Sequence, residues 1–125
     1  MTEFEIAGRK IGGAYPPYVI AEMSANHNGD LNQAYRIIEA AKKAGANALK
    51  IQTYRPDTIT LDSDAEDFRI KGGLWDGRTL YELYEEAHTP WEWHEPLFDH
   101  ARKLDITIFS SPFDTTAIDM LEDLG

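Results

Sequence analysis

The sequence predicts an α/β fold: the N-terminal portion of a TIM-type (β/α)8 barrel, preceded by a short β-hairpin. Strand-like and helix-like segments alternate, which implies a parallel sheet with right-handed crossovers. Polar Glu22, Lys50 and Gln52 alternate with apolar Val19, Ala21, Met23, Leu49 and Ile51. One sheet face therefore meets helices, and the other carries polar groups near the strand C-terminal ends, where a barrel places its catalytic side chains. No Gly-rich phosphate loop follows the first major strand, which weakens a nucleotide-binding reading. A small doubly wound sheet is the competing architecture. The 125 residues could nearly complete it, whereas a barrel needs roughly 250. On the barrel reading, residues 1–125 form one partial domain containing the first three βα units.

Residues 4–12 alternate around Ala7-Gly8-Arg9 and read as a hairpin, with Pro16-Pro17 after it. A first major strand is expected at 18–24. Asp30 is placed to cap a helix at 31–44, with Gln33 completing a capping box. Leu31, Ala34, Ile37, Ile38, Ala41 and Ala44 follow at helical spacing, and Gly45 sits at C′. A second strand spans 47–53. The connection from Tyr54 to His88 is long enough to suggest a lid or binding loop. Within it, Thr79 and Glu82 form a capping box before a short helix. Thr89-Pro90-Trp91-Glu92 reads as another helix start, with the helix running to about Leu104. A third strand covers 106–111 and stops at Pro112. Asp114 or Thr115 caps a last helix, with Gly125 as a C′ residue.

Composition narrows the function classes. The formal charge is −10, from 22 acids against 12 bases, which argues against nucleic acid and anionic membrane surfaces as partners. Any anionic substrate must then be captured by a local basic group. There is no cysteine, so thiol chemistry and disulfides are excluded. No apolar run approaches a membrane span, and the polar start MTEFEIAGRK is not a secretory signal. A cytoplasmic protein is the default expectation.

Glu22 and Lys50 are the catalytic candidates. Each alone reads as a solvated strand-face charge. Together they point away from the apolar face of adjacent parallel strands at matching depth, where an acid and an amine can hold an anion on one side and a metal or hydroxyl on the other. Gln52 lies nearer the mouth on the same face and suits sugar hydroxyls. Asn26 and His27 lie in the loop above the first strand and exceed what a plain turn requires. Ser110 and Ser111 offer hydroxyls to a phosphate or carboxylate, or simply end a strand. No His/Cys/Asp/Glu spacing indicates a metal site. His88, His94 and His100 read as surface residues, Trp91 and Trp93 as packing residues, and the acidic run 62–67 as a solvated loop.

The segments AEMSANHNG, ALKIQTY and FSSPFD, in this order around these strands, resemble the sialic-acid synthase family. Its patterns there read E-x-x-x-N-H-x-G, K-x-Q-T and S-[ST]-P-F. The stretch LWDGRTLYELYEEAHTPWEWH resembles the pseudaminic acid branch; the N-acetylneuraminate enzymes usually lack its TPWEWH portion. The resemblance runs from Phe4 to Gly125. It implies an aldolase-type barrel, a later antifreeze-like domain and a homodimer. It also implies condensation of phosphoenolpyruvate with an open-chain amino-sugar aldehyde. The vinyl carbon attacks the aldehyde, water adds at C2, and phosphate is expelled by C–O cleavage. Manganese or magnesium polarises the carbonyl, with its histidine ligands on later strands outside this chain. In that scheme Lys50 neutralises phosphoenolpyruvate and Glu22 lies beside the metal and the aldehyde oxygen. Gln52 and the loop around Trp75 face the sugar, and Asn26 and His27 help close the mouth. The 125 residues alone are expected to be inactive. An N-acetylneuraminate or legionaminate synthase is the rival within the family. A non-catalytic flavodoxin-like binding module is the rival outside it.

Overall fold

A computed structural model describes residues 2–125. Strands β1 (Phe4–Ile6) and β2 (Arg9–Ile11) pair antiparallel, with Phe4 opposite Ile11 and Ile6 opposite Arg9. Ala7 and Gly8 both adopt left-handed backbone, at φ 48° and 79°. That is the turn whose twist matches a two-residue hairpin. Arg9 donates to the Pro17 carbonyl at 3.1 Å and lies over the Tyr18 ring, tying the hairpin to the chain entering the sheet.

Strand β3 (Ile20–Glu22) is shorter than the expected 18–24. Its ladder still reaches one residue further each way: Val19 accepts from Asn47 at 2.8 Å, and the Met23 N–H donates to Lys50 at 3.0 Å. Ser24 then enters left-handed backbone at φ 48° and turns the chain out of the sheet. Helix α1 (Leu31–Lys43) follows, with Asp30 accepting from the Asn32 N–H at 2.9 Å. The expected capping box does not form, because Gln33 is drawn to Arg36, which donates to it at 2.7 Å. Gly45, at φ 87°, ends the helix as expected.

Strand β4 (Ala48–Thr53) leads into the long connection, which contains one turn of helix, α2 (Pro56–Ile59), and a 3-10 turn at Glu66–Phe68. Helix α3 (Leu80–Ala87) has the full Thr79/Glu82 capping box, with bonds of 3.2 and 2.9 Å. The next helix differs from expectation. Pro90 has ψ 140°, Trp91–Trp93 form a 3-10 turn, and α4 (His94–Lys103) begins only at His94. Thr89 is buried and caps no helix among the described residues; the Pro90 and Trp91 carbonyls instead meet the His94 ring. Strand β5 (Thr107–Pro112) includes Pro112 as its last residue. Helix α5 (Thr115–Leu124) starts at Asp114, which accepts from the Thr116 and Ala117 N–H groups.

The parallel sheet has the order β3-β4-β5. Met23, Leu49 and Ile51 from the strands pack with Ala34, Ile38 and Ala41 of α1 and Leu97, Phe98 and Ala101 of α4. Leu121 and Leu124 of α5 join the same cluster, so the crossover helices α1 and α4, together with α5, cover one face. Full burial of Ile38, Leu49, Ile51 and Leu97 contributes about 1.5–3 kcal/mol per side chain. A flavodoxin-like sheet has its first strand between the second and third and helices on both faces. Here the second parallel strand lies in the middle, so the flavodoxin-like alternative is incorrect. Successive crossovers of one hand that never reverse direction along the sheet must all fall on one side.

Candidate active site

Alternation along the strands turns Ala48, Lys50 and Gln52 away from the helices. In-register pairing then stacks side chains in layers on that inner face. Ile20, Ala48 and Thr107 form the lowest layer, Glu22, Lys50 and Phe109 the next, and Gln52 with Ser111 the layer nearest the strand C-termini. At the lower end of this face, Ile20, Thr107 and Phe109 line, with Ile6 and Tyr18, an apolar cavity of 220 Å³.

Glu22 and Lys50 are register partners, and Nζ lies 2.6 Å from Oε1. The Lys50 side chain is 28% exposed and that of Glu22 is 56% exposed. An ion pair this accessible is worth at most about 1 kcal/mol, so stability does not account for placing it on the sheet. Chemically, it presents a cation for an anionic group beside a carboxylate able to orient a hydroxyl or water. Gln52 and Ser111 stand together one layer above.

The loop after β3 is placed differently. Asn26 is exposed, and its side-chain amide donates to the Met23 carbonyl at 2.8 Å, folding the loop on itself. His27 is 1% exposed. Its Nδ1 accepts from the Gly29 N–H at 3.1 Å, and its ring stands edge-on to Trp93 at 5.3 Å. Nε2 is buried without a hydrogen-bond partner among the described residues. Burial pushes the ring's pKa down, nearby His88 adds to this, and the Ala87 backbone opposes it. No hydrogen bond joins His27 to Glu22 or Lys50 among the described residues. Trp75 lies under the Arg78 guanidinium and, with Ala25, Asn28, Gly29, Glu86 and Ala87, lines a separate cavity of 140 Å³.

His94 is not the surface residue expected: it is fully buried. Its Nε2 lies 2.8 Å from the Thr53 hydroxyl, which lies 2.5 Å from that of Ser110. The sequence carried a signal for this, since His94 shares the helical spacing of Leu97, Phe98 and Ala101. Burial holds its pKa below the ordinary value, with contacts to the Trp91 and Pro90 carbonyls opposing the shift. His88 and His100 are partly exposed, and Trp93 packs on the core.

Among the described residues, no group of three His, Cys, Asp or Glu side chains converges as a metal site, and Glu22 is already held by Lys50. These residues do not by themselves fit a bound divalent metal. No helix among them is long and apolar enough to cross a membrane.

Comparison with known proteins places this chain in a family. The chain is 60% identical over 105 residues to a pseudaminic acid synthase from Campylobacter jejuni subsp. jejuni, a match covering 84% of this chain and 31% of that protein. It is 54% identical over 110 residues to the pseudaminic acid synthase of Helicobacter pylori, covering 88% of this chain and 32% of the relative. The chain thus spans about a third of the length of these curated relatives. The crystal structure of an N-acetylneuraminic acid synthetase from Leptospira borgpetersenii, in complex with citrate, superposes with a TM-score of 0.78 at 31% identity. That match covers 99% of this chain and 39% of the other. Residues 37–125 match the NeuB family model, and the chain belongs to the NeuB family.

Proposed function

We propose that the chain is the N-terminal portion of a TIM-barrel pseudaminic acid synthase. This enzyme condenses phosphoenolpyruvate with a 2,4-diacetamido-2,4,6-trideoxy hexose and releases phosphate. The carrying observation is the contrast in identity. The pseudaminic acid synthases match at 54–60%. An N,N'-diacetyllegionaminic acid synthase from Legionella pneumophila matches at 35%, and the mouse N-acetylneuraminate-9-phosphate synthase at 29%.

The inner-face geometry supports this reading. Lys50 binds the carboxylate or phosphate of phosphoenolpyruvate inside a chain of net charge −10, where no global field would attract it. Glu22, held beside Lys50, orients the aldehyde oxygen or the incoming water and handles its proton. Gln52 and Ser111 contact substrate at the mouth, with Trp75, Asn26 and His27 on the loops around it. The vinyl carbon forms the new bond to the aldehyde carbon. Water then adds at C2, and phosphate leaves with the C–O electron pair. The manganese or magnesium of this chemistry would be held by residues outside the chain. The enzyme is proposed to be a cytoplasmic homodimer.

The test is a chimera in which this chain replaces the matching third of the Campylobacter jejuni relative. Phosphate release is measured with the diacetamido hexose of pseudaminic acid synthesis, its legionaminic counterpart and N-acetylmannosamine. Preference for the first sugar is expected. Preference for either other sugar, in a chimera as folded as its parent, would sink the assignment.

A further inference from the structure

Thr53 and Ser110 face the helices, while their chain neighbours Gln52 and Ser111 are register partners on the inner face. A rotation of either strand end therefore moves both faces together. On the helix side, one run of hydrogen bonds crosses three elements. His94 Nδ1 lies 3.2 Å from the Pro90 carbonyl and 3.1 Å from that of Trp91. Both are acceptors, so Nδ1 carries the proton. Nε2 then accepts from the Thr53 hydroxyl at 2.8 Å, and the Thr53 oxygen accepts from the Ser110 hydroxyl at 2.5 Å. The Phe113 N–H closes the end of β5 onto the Thr53 carbonyl at 3.2 Å.

We propose that His94, acting through Thr53 and Ser110, is a positioning residue that sets the placement of Gln52 and Ser111 at the mouth of the site. Apolar side chains of similar volume would fill this space without a burial cost. A satisfied polar network instead selects one geometry, because each partner accepts only one arrangement of donors. The network lies one residue from the substrate candidates on both strands, so its geometry reaches them through a single peptide unit.

The test uses the chimera described above and compares Thr53→Val, which removes only the hydroxyl, with Thr53→Ser, which keeps it. Thr53→Val is expected to raise KM for at least one substrate by about tenfold while kcat changes less than about twofold, with Thr53→Ser close to wild type. Because the proposal rests on the synthase reading, a second arm needs no turnover. Amide hydrogen exchange is followed in segments 50–53 and 109–112, and faster exchange there, with α1 unchanged, is expected in Thr53→Val. If Thr53→Val does not fold, Ser110→Ala carries the same readouts. A lowered melting temperature with unchanged KM and unchanged local exchange would overturn the proposal. A wild-type chimera that folds without turnover would sink the synthase reading, leaving the exchange arm to decide the positioning role.

Discussion

Lys50 is the residue on which the proposed chemistry depends most. Its ammonium lies on the inner face, paired only with Glu22 among the described residues, so removing it leaves an anionic substrate facing a carboxylate. In the chimera, Lys50→Met is expected to lower kcat/KM for phosphoenolpyruvate by about a hundredfold or more, with little change in thermal stability. Unchanged steady-state kinetics would remove Lys50 from the site. His27 and His94 make a prediction of a different kind. Both rings are buried and hold pKa values below the ordinary 6.5. The unfolded chain therefore takes up protons at these rings before the native one does. Their stabilising contribution is complete above pH 6.5 and declines as pH falls below it toward the native values. Urea unfolding midpoints should drop between pH 7.5 and 5.5, and His94→Gln should shrink that drop.

At the scale of elements, local chemistry decides where helices begin, unless a buried side chain competes for the same backbone. Asp30 and Asp114 cap α1 and α5 through N–H groups two or three residues on. Asp30→Ala should cost about 1 kcal/mol, visible as a lower denaturation midpoint with an unchanged slope. Asp114 has a pKa held below the ordinary carboxylate range, first by the Thr116 hydroxyl and then by backbone N–H groups. Its contribution is present above the ordinary value of 3.8 and is lost as pH falls through the native one. Start signals at α1, α3 and α5 were legible in the sequence because each depends on neighbours within one turn. The signal at Thr89-Pro90 misled for a tertiary reason: the Pro90 and Trp91 carbonyls face the His94 ring instead of starting an α-helical ladder. Gln33 misled for a local one, because Arg36 lies one turn away and offers two donors to it.

For the whole molecule, helices cover the sheet on one side only. Ile20 and Phe109 on the inner face remain 44% and 37% exposed, and each outer strand pairs only with β4 among the described residues. Open edges and an apolar face invite association. The 125-residue chain on its own should sediment as a self-associating species at micromolar concentration and release no phosphate from phosphoenolpyruvate. A monodisperse monomer would mean that the inner face needs no covering layer.

The sequence by itself determined the alternation of elements, the helix caps set by short-range contacts, and the placement of Glu22 and Lys50 on one sheet face. Each follows from periodicity or from neighbours a few residues apart. Only the tertiary structure decided which residues stand together across strands. Parallel register made Glu22 and Lys50 an ion pair and set Gln52 beside Ser111. Tertiary packing buried His27 against Trp93 and set Trp75 under Arg78. His94 shows the same division. Its helical stripe is written in the sequence, but the hydroxyl that meets its Nε2 belongs to Thr53, 41 residues away, and that hydroxyl is bonded in turn by Ser110 on the neighbouring strand. Burial makes such a partner obligatory, and only the folded chain supplies it.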